Sequence, residues 1–125
     1  MRYLVPTVLL LVALIHALPL AGVLGVGKLS SLYGIPVQDP NLEILMRHRA
    51  VLFGLLAAFL AYAAFHRPLH SLALLAGGVS VASFLVLAVV VGGYNPALAT
   101  VVKVDAVAAV LLTAGALVHL RKGRS

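Results

Sequence analysis

The chain has no cysteine and little charge. Without cysteine it has no disulfide framework and no thiolate metal site. Only 10% of its 125 residues are Asp, Glu, Lys or Arg, whereas 63% are hydrophobic. With a mean hydropathy of +1.16, this is more apolar surface than a soluble domain of such length can hide. The formal charge of +6 suggests an acidic partner. The basic residues are scattered, however, with no soluble domain beneath them, which excludes nucleic acid and leaves anionic lipid headgroups.

Catalytic signatures are also missing. The chain has no phosphate-binding glycine loop, no nucleophile elbow and no paired-His motif of the zinc-protease kind. Gly22, Gly25 and Gly27 follow no strand and read as a helix ending. His66, His70 and His119 are separated by sequence and helix, which argues against a metal centre, and they read as markers of a membrane interface. These residues do not identify a cofactor.

What the sequence does contain is four apolar stretches, each long enough to cross a hydrocarbon layer of ~30 Å as a helix. They lie at 3–24, 42–65, 69–92 and 96–120. The expected fold is all-α: a single integral membrane domain over residues 1–125, built as a four-helix up-down bundle. Tight turns at 66–70 and 92–95 make the last three helices neighbours, and GVGKLSSLYGIPVQDPNLE forms a long first outer loop. Two helix starts share one device: Asp39 precedes Pro40 and Asn95 precedes Pro96, each pairing a capping side chain with proline at the first helical position. The first stretch has a basic start and an apolar middle, like a signal peptide. Its apolar run is longer than a signal core and another membrane segment follows, so it is expected to remain as a helix.

Lys and Arg near the loops set the orientation. Arg2, Arg67, Arg121, Lys122 and Arg124 fall on one side, and Lys28, Arg47 and Arg49 on the other. Both termini are therefore expected in the cytoplasm, as in a multi-pass protein of a bacterial inner membrane. The sequence MRHR, residues 46–49, then sits at the outer surface, where that rule gives it no reason to be.

Helical phase suggests a reason. Steps of three and four from Glu43 reach Arg47, Ala50, Gly54, Ala57, Ala61 and Ala64, a stripe of small residues that admits close helix approach. Arg47 is therefore expected to turn inward, within reach of Glu43, while His48 and Arg49 anchor the helix among headgroups. At 1.5 Å per residue, His16 lies about 10 Å and Asp105 about 13 Å below the outer surface. Ser80 and Ser83 share a face of the third helix. Ionisable groups in a bilayer are costly unless paired. His16, Arg47, Ser80, Ser83 and Asp105 are thus expected to form a polar cluster in the outer half, roofed by the loop carrying Tyr33, Pro36 and Asp39. The competing expectation is a structural Arg47–Asp105 salt bridge, with His16 a packing residue.

The chain also contains an internal echo. DPNLEILMRHR aligns with NPALATVVKVD, which sets Arg47 opposite Lys103 and Arg49 opposite Asp105.

The order H-x-L-P-L, LYG followed by proline, DPNL, RHRAVLFG, a Ser-bearing third helix, GGYN and an Asp-bearing fourth helix resembles small bacterial four-helix membrane proteins of a DoxX-like kind. The resemblance covers nearly the whole chain and implies the same bundle, but it brings no established activity. Some relatives bear the name phosphopantetheine adenylyltransferase. That activity belongs to a soluble nucleotide-binding fold with an H-x-G-H motif, and this chain has neither the motif nor alternating strands and helices.

Two functions are compatible with these residues. In one, the bundle binds a lipophilic small molecule, quinone or lipid-like, at the polar cluster, or serves a membrane partner protein as an accessory subunit. In the other, a homo-oligomer forms a small transporter or channel, with Asp105 and His16 as an ion or proton relay. An enzyme is disfavoured, since one His and one Asp specify no reaction.

Overall fold

A computed structural model describes residues 3–36 and 38–124, and among them there is no strand. Arg2, counted above for orientation, lies outside them. Five α-helices follow in order: α1 (Leu4–Ala17), α2 (Val26–Tyr33), α3 (Pro40–Ala64), α4 (His70–Val91) and α5 (Pro96–Arg124). Three segments are long and apolar enough to cross a membrane, namely Pro40–Ala64, Arg67–Val91 and Pro96–Arg121, while Leu4–Leu20 is a shorter apolar helix.

The expected helix over 3–24 is interrupted. α1 stops at Ala17 and the chain continues as a 3-10 segment, Leu18–Leu24. Pro19 supplies the reason: it has no N–H to offer the Ile15 carbonyl, and its ring crowds that oxygen. Leu18 donates to Ile15 O instead, a three-residue step that tightens the winding. The long first loop is likewise more ordered than expected, because α2 occupies its centre. α2 ends at Gly34, whose φ of 66° is the left-handed conformation of a helix terminator.

The two proline starts fold as the sequence suggests. Asp39 accepts a hydrogen bond from Asn41 N at 2.9 Å, capping α3. Asn95 Oδ1 accepts from Leu98 N at 2.8 Å, capping α5. Asn95 has a second task, since its Nδ2 donates to the Tyr33 carbonyl at 2.8 Å and more weakly to the Gly34 carbonyl at 3.3 Å. The end of α2 is thereby tied to the start of α5. A Cβ at Gly34 would lie 3.2 Å from both Ala97 Cβ and Asn95 Nδ2, so at this left-handed position a side chain would be strained in backbone and crowded in space.

α1 is the central element and packs against α3, α4 and α5. Its buried residues Val5, Val8, Leu9, Val12, Ala13 and His16 repeat every three or four positions, making one broad face. They meet Leu60, Ala63 and Ala64 of α3, Ala73, Leu74 and Val81 of α4, and Ala108 and Leu112 of α5. Large apolar side chains are abundant outside as well: Val89, Val90 and Val91 are 83%, 75% and 78% exposed. Such an exterior is what lipid, not water, would cover.

The double role of Asn95 sets an expected outcome. Asn95→Ala removes a helix cap and leaves the Tyr33 carbonyl without its donor, so it should lower stability by about 1–2 kcal/mol. Asp39→Ala removes an exposed cap alone and should shift the thermal midpoint in detergent by clearly less.

Candidate functional site

A cavity of about 350 Å³ opens where the end of α1, the 3-10 segment, the end of α2 and the first three turns of α5 meet α3. Its walls are chiefly apolar: Ile15, Leu18, Pro19, Leu32, Phe53 and Val104 are among them. Into it converge five polar side chains, those of His16, Tyr33, Arg49, Thr100 and Asp105. Each arrives by a different structural device.

His16 sits in the last turn of α1 and is only 3% exposed. Its Nδ1 lies 2.9 Å from the Val12 carbonyl, which can only accept, so Nδ1 carries a proton. Nε2 then receives the Ser80 hydroxyl at 2.9 Å in the neutral ring. The ring also leans on Phe53, with centroids 5.6 Å apart at 40°. Two hydrogen bonds and one aromatic contact therefore hold the imidazole in a single orientation.

Arg49 reaches the cavity from α3. Nη1 donates to Tyr33 Oη at 2.6 Å, and the guanidinium lies 4.5 Å from the Phe53 ring centre and 5.3 Å from that of Tyr33. These two aromatic faces and one hydroxyl take over part of the solvation a cation loses on leaving water. Tyr33 is itself 5% exposed and packs among Leu32, Ile35, Leu42, Met46 and Leu98. Thr100 instead spends its hydroxyl on the Pro96 carbonyl at 3.2 Å.

Asp105 lies on α5, nine residues beyond Pro96, and is partly buried. It is in electrostatic reach of His16 and Arg49. Among the described residues, however, no hydrogen bond and no ion pair within 4 Å involves its carboxylate. A carboxylate so placed is an open acceptor on the cavity wall.

The expected cluster is therefore partly redrawn. His16, Ser80 and Asp105 are brought to one level, with Ser80 behind His16 and not on the cavity wall. Ser83 is exposed and donates to the Ser80 carbonyl at 3.0 Å, away from the cavity. Arg47 does not turn inward: its side chain is 44% exposed and pairs with Glu43 at 3.1 Å along the outer face of α3. His48 is exposed, as an anchoring residue would be. Arg49 is the arginine that enters.

The stripe of small residues misled because it is one edge of the packed face, not its centre. The buried positions of α3 are Ala50, Ala57, Leu60, Ala63 and Ala64. At 100° per residue, Arg49 lies about 45° from their mean direction and Arg47 about 115°. The signal that does single out Arg49 is the internal echo, which sets it opposite Asp105. Both stand nine residues beyond their helix-starting proline, and both line the cavity.

Among the described residues, no three His, Asp or Glu side chains converge in a way that would hold a metal ion. Compared with known proteins, the chain matches no family model, no curated protein and no solved structure.

One consequence concerns the two serines. Ser80→Ala leaves the buried Nε2 of His16 without its partner and should cost about 1–2 kcal/mol. Ser83→Ala touches only an exposed hydroxyl and should leave the thermal midpoint in detergent unchanged.

Proposed function

We propose that the chain is a multi-pass membrane protein of the DoxX-like kind that binds the headgroup of a lipophilic small molecule, quinone or lipid-like, in the cavity between α1, α3 and α5. In this reading its four apolar segments cross a bacterial inner membrane as an up-down bundle with both termini in the cytoplasm. α2 lies over the outer end, closing the cavity from that side. Three long apolar helices and an apolar exterior support the membrane placement.

The observation that carries the binding reading is the cavity's composition. Its volume of about 350 Å³ falls at the small end of the range for small-molecule sites. Its apolar walls suit a hydrocarbon-rich ligand. A donor set at Arg49 and Tyr33 faces an acceptor at Asp105, and His16 is fixed nearby. A ring or headgroup with oxygens on two sides would meet complementary partners on both. The guanidinium keeps the Tyr33 bond and two aromatic faces on one side, and its other N–H groups, like the Asp105 carboxyl opposite, are available to a ligand's polar atoms.

A relay role for Asp105 and His16 is the weaker reading. His16 directs Nδ1–H at the Val12 carbonyl and Nε2 at Ser80, and among the described residues no hydrogen bond joins it to Asp105, so the two do not form a continuous relay.

Native mass spectrometry of the protein, extracted gently from its own membrane, tests the proposal. Wild type and Arg47→Ala should carry the same co-purifying small molecule, whereas Arg49→Ala and Asp105→Asn should lose it by about tenfold or more. Equal occupancy in all four proteins would remove the cavity as the ligand site. Bare, folded protein in all four would turn the reading toward an accessory role in an assembly.

A further inference from the structure

A second concavity lies at the opposite end of the molecule. It is an apolar groove of about 440 Å³ on the outside of the helices, between α4 and α5. Leu74, Leu75, Val79 and Ala82 form one wall, with Ala116 and Leu120 facing them. Gly78 lies along it, and a Cβ built there meets no atom within 4 Å, so this stretch of groove is open.

The groove has a polar head. At one end Ser71 Oγ lies 2.7 Å from His119 Nε2, and His70 stands edge-on to His119 with ring centres 6.2 Å apart. His70 is turned away, bonded to the Ala64 carbonyl at 3.3 Å. Ser71 is exposed and His119 partly so. From Ser71 to Ala82 the groove follows α4 for about 16 Å. That is about half of a ~30 Å hydrocarbon core, the depth of one leaflet.

Charge marks which molecule belongs there. Arg67, four residues before Ser71, and Arg121, two residues beyond His119, are both exposed; they line no part of the groove but lie within about one turn of its polar end, within the reach of a long side chain. Lys122 and Arg124 follow in the sequence. All three acidic residues of the chain lie elsewhere: Asp39 and Glu43 at the start of α3, Asp105 at the first cavity. A groove one leaflet deep, apolar along its length and cationic at its mouth, complements an acyl chain beneath an anionic headgroup.

We propose that this groove is a binding site for one anionic phospholipid of the leaflet facing the chain termini, with an acyl chain along Gly78 and the phosphate at Ser71, His119, Arg67 and Arg121. The inference rests on the membrane placement proposed above, not on the ligand of the first cavity. About 21 Å of α5 separates Asp105 from His119, so the two sites are independent.

The test is native mass spectrometry of delipidated protein in detergent, offered phosphatidylglycerol and phosphatidylcholine with matched chains at equal concentration. Wild type should retain one phosphatidylglycerol with about 25-fold preference, since each of the two arginines near the headgroup contributes about fivefold. Gly78→Leu fills the groove without altering any charge and should lose that lipid while keeping the lipid-free thermal midpoint. The Arg67→Gln/Arg121→Gln pair should keep a lipid but lose the preference. Arg49→Ala should change neither, although it empties the first cavity. Equal retention of both lipids by wild type would overturn the proposal, as would phosphatidylglycerol binding that survives Gly78→Leu. A wild-type dimer that Gly78→Leu converts to monomer would overturn it in favour of a helix-packing surface.

Discussion

A guanidinium inside an apolar bundle has to be solvated by the protein, and the end of the bundle that holds the cavity is organised around that requirement. Arg49 is held by the Tyr33 hydroxyl and by the faces of Tyr33 and Phe53. Tyr33 can reach it only because α2 folds back over the helices, and α2 is held there by Asn95 bonding its last carbonyls. Asn95 in turn begins α5, the helix that carries Asp105. One chain of contacts thus runs from the cation through the loop to the opposing carboxylate. Loss of the loop's order would expose both charges to whatever surrounds the bundle.

The same dependence explains the break in α1. A continuous helix through residue 24 would run past the level of the cavity. Pro19 ends the regular α-winding just after His16, and the 3-10 segment that follows supplies Leu18 and Pro19 to the cavity wall. His16 is left in the last α-turn, where its Nδ1 can donate to Val12 O four residues back while its ring faces Ser80 and Phe53. A proline three residues after the histidine therefore does two things: it shapes the pocket and it fixes where the imidazole ends up.

Much of this architecture was legible in the residues. Hydropathy gave the apolar segments, and the Asp39–Pro40 and Asn95–Pro96 pairs gave two helix starts, because those signals are local. The depths of His16 and Asp105 followed from rise per residue and agree with a shared cavity. The rotation of α3 did not follow, and so the wrong arginine was turned inward. Small residues show where a helix can approach a neighbour, but Phe53 and Leu60 occupy the packed face too. Which of two flanking arginines enters depends on Tyr33, sixteen residues away, whose place depends on α2 and Asn95. No local pattern reports a contact of that kind. Only the repeated spacing from Pro40 to Arg49 and from Pro96 to Asp105 pointed to it.

The arrangement of Arg49 and Asp105 also bears on whether the polar groups serve stability alone. Two opposite charges that exist to staple an apolar bundle gain most in direct contact, where each replaces the water the other has lost. Here the cation is engaged by a hydroxyl and two rings, while the carboxylate sits across a cavity without a direct partner among the described residues. Burying a carboxylate in that state costs stability, so the fold would gain from closing the gap or from an apolar residue at 105. A packed alternative is within reach of the same helices, since Ala108 and Leu112 one and two turns further along α5 are fully enclosed. Arg49, Tyr33 and Asp105 instead line one cavity of about 350 Å³. A pure staple would close such a gap; the proposed headgroup site is the reading that uses it.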